Sequence, residues 1–141
     1  MIAMPWTFLD YVDTSGSNQI EAWLRGLRPN TRTKVRSKLL SIFNNADALG
    51  LEVPHFEKLH GIYSKLVAIR FQVLRVAYRP LCFYGPRTGD GTLLAGATER
   101  NNHYRPAGIL DAALGRRADV LADWKRTVPT CLLEEINWQT S

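Results

Sequence analysis

Apolar positions along the chain change their period several times, and each change marks an element. Trp6 to Val12 mixes aromatic and β-branched residues and runs into the turn-forming stretch Asp13 to Ser17, which predicts a short first strand followed by a loop. Ile20, Trp23, Leu24 and Leu27 then recur at helical spacing, with Asn18 and Glu21 placed to cap the segment and Pro29 to close it. A second helix is predicted from Thr31 as cap, through Val35, Leu39, Ile42, Ala46 and Leu49, to a stop at Gly50. The turn between the two is short, so they form an antiparallel hairpin whose apolar stripes need a sheet to cover.

That sheet is predicted next. Ile62 to Ile69 and Val73 to Tyr78 are rich in Val, Ile, Leu and Tyr, and Thr92 to Ala97 follows the loop Gly85 to Gly91. The connection at Phe71 and Gln72 has no Gly, Asn or Asp, which leaves two hairpin strands or one long bent strand both open. Helical spacing returns over Pro106 to Trp124, with Leu110, Leu114, Leu121 and Trp124 on one stripe. The order predicts an α+β domain over residues 1–126, with a helical hairpin on one face of a small, mainly antiparallel sheet, a C-terminal helix, and a tail over 127–141. The other sheet face is expected to be left for function.

Composition narrows the class. A chain of 141 residues, 45% hydrophobic and 22% charged, is long enough to bury a core as one domain without disulfides or a structural metal. Cys82 and Cys131 have neither metal-ligand spacing nor a disulfide framework, and read as reduced thiols of a cytoplasmic protein. The opening MIAMPWTFLD lacks a basic segment followed by an apolar one, and no apolar run is long enough to span a bilayer, so neither secretion nor a membrane partner is expected. A net charge of +5 favours an acidic partner, and 13 of the 18 cationic residues are arginine, which offers a planar fork to phosphate and stacks on bases.

Two stretches could carry chemistry. Arg70 and Arg75, bracketed by Lys58, Lys65, Arg79 and Arg100, lie in or beside the predicted sheet; on an open face they would make a phosphate site, and a solvated face with isolated ion pairs is the other reading. Glu99-Arg100-Asn101-Asn102-His103-Tyr104-Arg105 holds each type of group that RNA cleavage through the ribose 2′-OH requires: a base, an acid for the departing 5′-oxygen, and cations for the phosphorane. Arg32, Lys34, Arg36 and Lys38 of the second helix fall on two i, i+4 pairs, as solvated charge or as contacts to RNA phosphates. Tyr63, Tyr78, Phe83 and Tyr84 read mostly as core. Nucleotide-loop, dinucleotide, serine-elbow and zinc-helix motifs are absent from the sequence.

Lys58-Leu59-His60-Gly61, Ala68-Ile69-Arg70, Leu74 to Tyr78, Leu93 to Arg100, and Pro106 with Leu110 and Ala113 together resemble the phage-derived branch of the RelE/HigB toxins, over roughly Phe8 to Leu121. The resemblance implies the toxin of a type II toxin–antitoxin pair: a ribosome-dependent mRNA endoribonuclease that cuts without a metal or cofactor and is held by a cognate antitoxin. It implies catalytic roles for Arg70, Arg75, Arg100, His103 and Tyr104, and RNA contacts for Lys58, Lys65, Arg79, Arg105, Arg32 and Arg36. Glu99, Ala97 and Ala68 depart from the family pattern, which commonly has lysine, an aromatic residue and glutamate there. A non-cleaving relative that inhibits a host protein, as gyrase poisons or phage takeover factors do, and a basic nucleic-acid-binding module are the alternatives.

Overall fold

The computed structural model describes residues 6–49, 55–133 and 138. Among them the chain runs β1 (Thr7–Tyr11), α1 (Gln19–Arg25), α2 (Pro29–Leu49), β2 (Phe56–Lys58), β3 (Val67–Ile69), β4 (Phe71–Val73), β5 (Val76–Tyr78), β6 (Leu81–Tyr84), β7 (Asp90–Ala95), β8 (Thr98–Arg100), β9 (His103–Arg105), α3 (Ile109–Ala122) and β10 (Thr127–Pro129). This is the α+β class expected.

The helical hairpin forms for the reasons the sequence offered. The Asn18 side-chain oxygen accepts from the amides of Ile20 and Glu21, both at 2.9 Å, and satisfies two of the otherwise orphaned donors of α1. α2 begins earlier than the expected cap: Pro29 presets the helical φ, so Thr31 lies inside the first turn. The stop expected at Gly50 lies outside the described residues. Val35, Leu39, Ile42, Phe43 and Ala46 make the buried stripe of α2.

Six strands order as β10-β1-β7-β6-β3-β2, with β1 parallel to β7 and the other pairs antiparallel; a second sheet orders as β4-β5-β8-β9. The two are one ladder with a bend. The chain passes directly from β3 to β4, from β5 to β6 and from β7 to β8, and the bonds Ile69 N–H to Pro80 O (2.9 Å) and Arg79 N–H to Ala97 O (2.8 Å) carry the pairing across. At the bend Gly96 lies under the Trp23 indole, where any Cβ would sit 1.9 Å from a ring carbon.

Three expected strand boundaries move. Gly61–Tyr63 is a turn of 3-10 helix, Gly61 having a φ of +63°, so the strand expected over Ile62 to Ile69 begins at Val67. The run Val73 to Tyr78 breaks at Leu74 and Arg75, whose φ values of 51° and 69° make the two-residue turn between Val73 and its partner Val76. That resolves the open question at Phe71 and Gln72: they belong to the first strand of this hairpin, and the chain reverses just after them. The stretch read as a tail opens with β10, which pairs with β1, and its Trp138 is buried.

The expectation of an open sheet face is corrected. The hairpin packs Ile20, Leu24, Val35 and Leu39 on Phe8, Val67, Ile69, Cys82 and Leu93, while α3 covers the opposite face through Ala113 and Val120 on Leu66, Ala68, Leu81, Phe83 and Leu94. The physical reason was in the sequence: Val67-Ala68-Ile69, Leu81-Cys82-Phe83 and Leu93-Leu94-Ala95 are apolar at successive positions, as strands buried on both faces are. The stripe of α3 is also rotated from the one expected, leaving Leu121 and Trp124 exposed. Arg116 anchors the helix by donating to Leu94 O at 2.8 Å and lying 5.4 Å from the centre of the Tyr11 ring.

Candidate functional site

Among the described residues the bent-off second sheet has the most exposed strand positions, Gln72, Val76, Arg100, His103 and Arg105 among them. Its registers sort the candidate residues by pleat, because paired residues share a face and neighbours along a strand alternate. Gln72, Ala77, Glu99 and Tyr104 pair in one row, so with Arg70 and Arg79 they lie on the α3 side. Val73 with Val76, Arg100 with His103, and Thr98 with Arg105 lie on the α2 side. The catalytic set expected from sequence is therefore divided between two faces.

On the α3 side the centre is Tyr104. Burial raises its phenol above the ordinary tyrosine value, the negative charges of Glu99 and Glu57 raise it further, and Arg79 and Arg70 oppose them. The phenol is therefore protonated at neutral pH, and it makes no hydrogen bond among the described residues. Arg70 Nη1 lies 2.8 Å from Glu57 Oε2, a pair with both side chains 44% exposed. An exposed pair of this kind is worth about 0–1 kcal/mol, so little opposes its exchange for a phosphate. Arg79 pairs with Glu99 at 3.2 Å but is buried, and its Nη1 also donates to Tyr78 O at 2.8 Å. It positions Glu99 and offers no face to RNA, which corrects its reading as an RNA contact.

Beside Tyr104 a cleft of about 460 Å³ opens against the start of α3, lined by Tyr63, His103, Tyr104, Arg105 and residues 107–111. Tyr63 donates to Asp111 Oδ1 at 2.7 Å across its floor. The cleft meets the Tyr104 cluster at the tyrosine itself.

On the α2 side Arg75 stands exposed at the β4–β5 turn, with Arg100 and His103 exposed at the adjoining β8–β9 turn. Arg105, Lys58 and Lys65 are exposed, and none of these cations has an ion pair among the described residues. Two cations assigned to RNA are otherwise engaged. Arg32 is buried and donates to Trp138 O, Leu27 O and Arg25 O, and Arg36 lies over the Trp138 ring at 4.3 Å with its guanidinium half-buried. Both fasten Trp138 to the helices. Glu57 is the participant sequence reasoning missed; its only signal was its place in the strand Phe56-Glu57-Lys58, where it pairs with Ala68.

No protein-family model matches the chain, and no curated protein matches it in sequence. Among the described residues no helix is long and apolar enough to cross a membrane.

Proposed function

We propose that the protein is the toxin of a type II toxin–antitoxin pair, cleaving mRNA on the ribosome by attack of a ribose 2′-OH on the adjacent phosphate. The observation that carries this reading is the group Tyr104, Arg70 and Glu57 at one end of an open cleft: an acid, a cation held by a weak pair, and a carboxylate on the same face. In the proposed reaction Arg70 leaves Glu57 for the scissile phosphate, and the freed Glu57 carboxylate takes the 2′-OH proton. The 2′-oxygen bonds to phosphorus as the bond to the 5′-oxygen breaks, and Tyr104 donates the proton that the departing oxygen needs. The products are a 2′,3′-cyclic phosphate and a 5′-hydroxyl. Arg79 holds Glu99 beside Tyr104 as a positioning pair. Arg100, on the other side of the sheet, stands outside this step, and His103, at the cleft wall, is given no part in it. A cognate antitoxin and a cytoplasmic site of action belong to the same proposal.

Tyr104→Phe is expected to lower cleavage roughly 10²-fold or more while leaving the melting temperature unchanged, since the phenol hydroxyl has no hydrogen-bond partner among the described residues. Full cleavage by Tyr104→Phe would refute the assignment.

A second reading, a non-cleaving protein that binds a host target on this face, is favoured by one observation: the two arginines at Tyr104 are matched by two glutamates, so the cluster offers no excess positive charge to a phosphate. Arg70→Ala separates the two. It abolishes cleavage on the first reading and leaves an uncleaved target bound on the second.

A further inference from the structure

The two faces of the projecting sheet differ in charge. On the α3 side Arg70 and Arg79 each have a glutamate. On the α2 side Arg75, Arg100 and Arg105 have none among the described residues, and neither do Lys34 and Lys38, which reach the same side from α2. Between α2 and β4 lies a groove of about 480 Å³ lined by Thr33, Lys34, Ser37, Lys38, Ser41 and residues 72–74. Its α2 wall presents hydroxyl and ammonium donors, its β4 wall the apolar Val73 and Leu74, and no carboxylate lines it among the described residues. Beyond its mouth, Leu74 and Val76 are 57% and 41% exposed beside the planar side chains of Arg100 and His103.

The turn at the mouth supplies an independent observation. The β8–β9 turn is Asn101-Asn102, with φ of 52° and 64°, a conformation asparagine tolerates. The neighbouring β4–β5 turn has the same backbone form but places Leu74 and Arg75 in it, at φ of 51° and 69°. A branched apolar residue in that region is strained, and such strain gathers where side chains are held for a ligand. Folding alone would be better served by asparagine and glycine here.

We infer that the surface running from Lys34 and Lys38 through Arg75 to Arg100 on the α2 side, and on to His103 and Arg105 at the edge it shares with the cleft, is a docking track for single-stranded RNA that adjoins the cleavage site. Lys34, Lys38 and Arg75 take successive phosphates along the groove. Leu74, Val76, Arg100 and His103 receive unstacked bases, for which apolar and planar groups suit a single strand better than a duplex. The inference rests on the reading of the chain as RNA-directed, and it extends that reading to a surface that does no chemistry.

The test is fluorescence anisotropy of the full chain with a labelled 2′-O-methyl oligouridylate, which binds without being cut, over a salt series. Lys34→Gln/Lys38→Gln/Arg75→Asn should weaken binding tens of fold and reduce the magnitude of the salt slope by about 2, as loss of three phosphate contacts on a single strand requires. Arg75→Asn keeps a residue suited to the turn, and both lysines are exposed, so the fold is retained; circular dichroism checks it. Arg87→Gln/Lys125→Gln, elsewhere on the surface, should change affinity less than twofold. Equal losses in the two variants, or none in the first, would overturn the inference, as would labelled polyglutamate binding as tightly as the RNA. Cleavage is not read, so the failures are distinguishable. RNA bound through this track by a chain that cuts nothing would sink the nuclease reading alone; cutting that needs Tyr104, with RNA affinity unmoved by the triple variant, would sink the track alone.

Discussion

At Arg32 the guanidinium is buried against three carbonyls, whereas at Arg70 it is half in water against one carboxylate, and the two residues read alike in sequence. Arginine composition announces an affinity for anions, but carbonyl oxygens at the end of a helix, such as those of Arg25 and Leu27 after α1, are partially negative too, and only the fold decides which the fork meets. Arg32→Ala is expected to cost about 2 kcal/mol in urea unfolding, because charged hydrogen bonds to buried carbonyls are lost together; Arg70→Ala should cost little. Asp10 is the opposite case, a fully buried carboxylate that accepts from Cys131 N–H at 2.8 Å and Asn18 Nδ2 at 3.0 Å, with its second oxygen unpartnered. Burial raises its pKa, outweighing those hydrogen bonds. The folded state therefore holds this proton more tightly than the unfolded chain, so stability falls as pH rises above the ordinary carboxylate range. Asp10→Asn should flatten that fall in melting curves taken between pH 4 and pH 8; an unchanged pH profile would contradict the raised pKa. Tyr104 and the arginine positions were legible in sequence as chemistry-bearing types, whereas the pairing of Glu57 with Arg70 was not, because it joins strands distant in sequence.

Among the elements, the helices were read closely because their signals are local: Asn18 caps α1, and the spacing of Val35, Leu39 and Ile42 is that of one helix face. The strands were read less well. Leu74 and Arg75 carry no turn signal, so the reversal there depends on β4 and β5 finding their partners, not on local preference. Leu74→Asn/Arg75→Gly is expected to raise stability by about 1 kcal/mol in denaturant unfolding by releasing the strain of two left-handed residues. A loss of stability would mean that the turn is supported by contacts its exposure does not reveal. The bend between the two sheets was equally hidden: Gly96 is required only because Trp23, far earlier in the chain, lies on it.

For the molecule as a whole, helices cover both faces of the six-stranded sheet at its centre, and the bend gives the second sheet two unlike surfaces. The α3 side brings a protonated phenol, paired charges and a cleft together, and the α2 side carries unpaired cations. An expectation of one open face overlooked the consecutive apolar strands, and so overlooked where α3 would go. The α+β class followed from the order of elements; the separation of the charged residues between faces needed the registers. The activity proposed for this chain is the cutting of mRNA on translating ribosomes alone. Primer extension on a defined mRNA in a reconstituted translation system tests it, with and without ribosomes, using the native chain and Tyr104→Phe. Cuts at set codon positions that appear only with ribosomes and fade in the Tyr104→Phe variant are the expected result. Intact mRNA in both conditions with folded native protein, or cutting that ignores the ribosome, would contradict it.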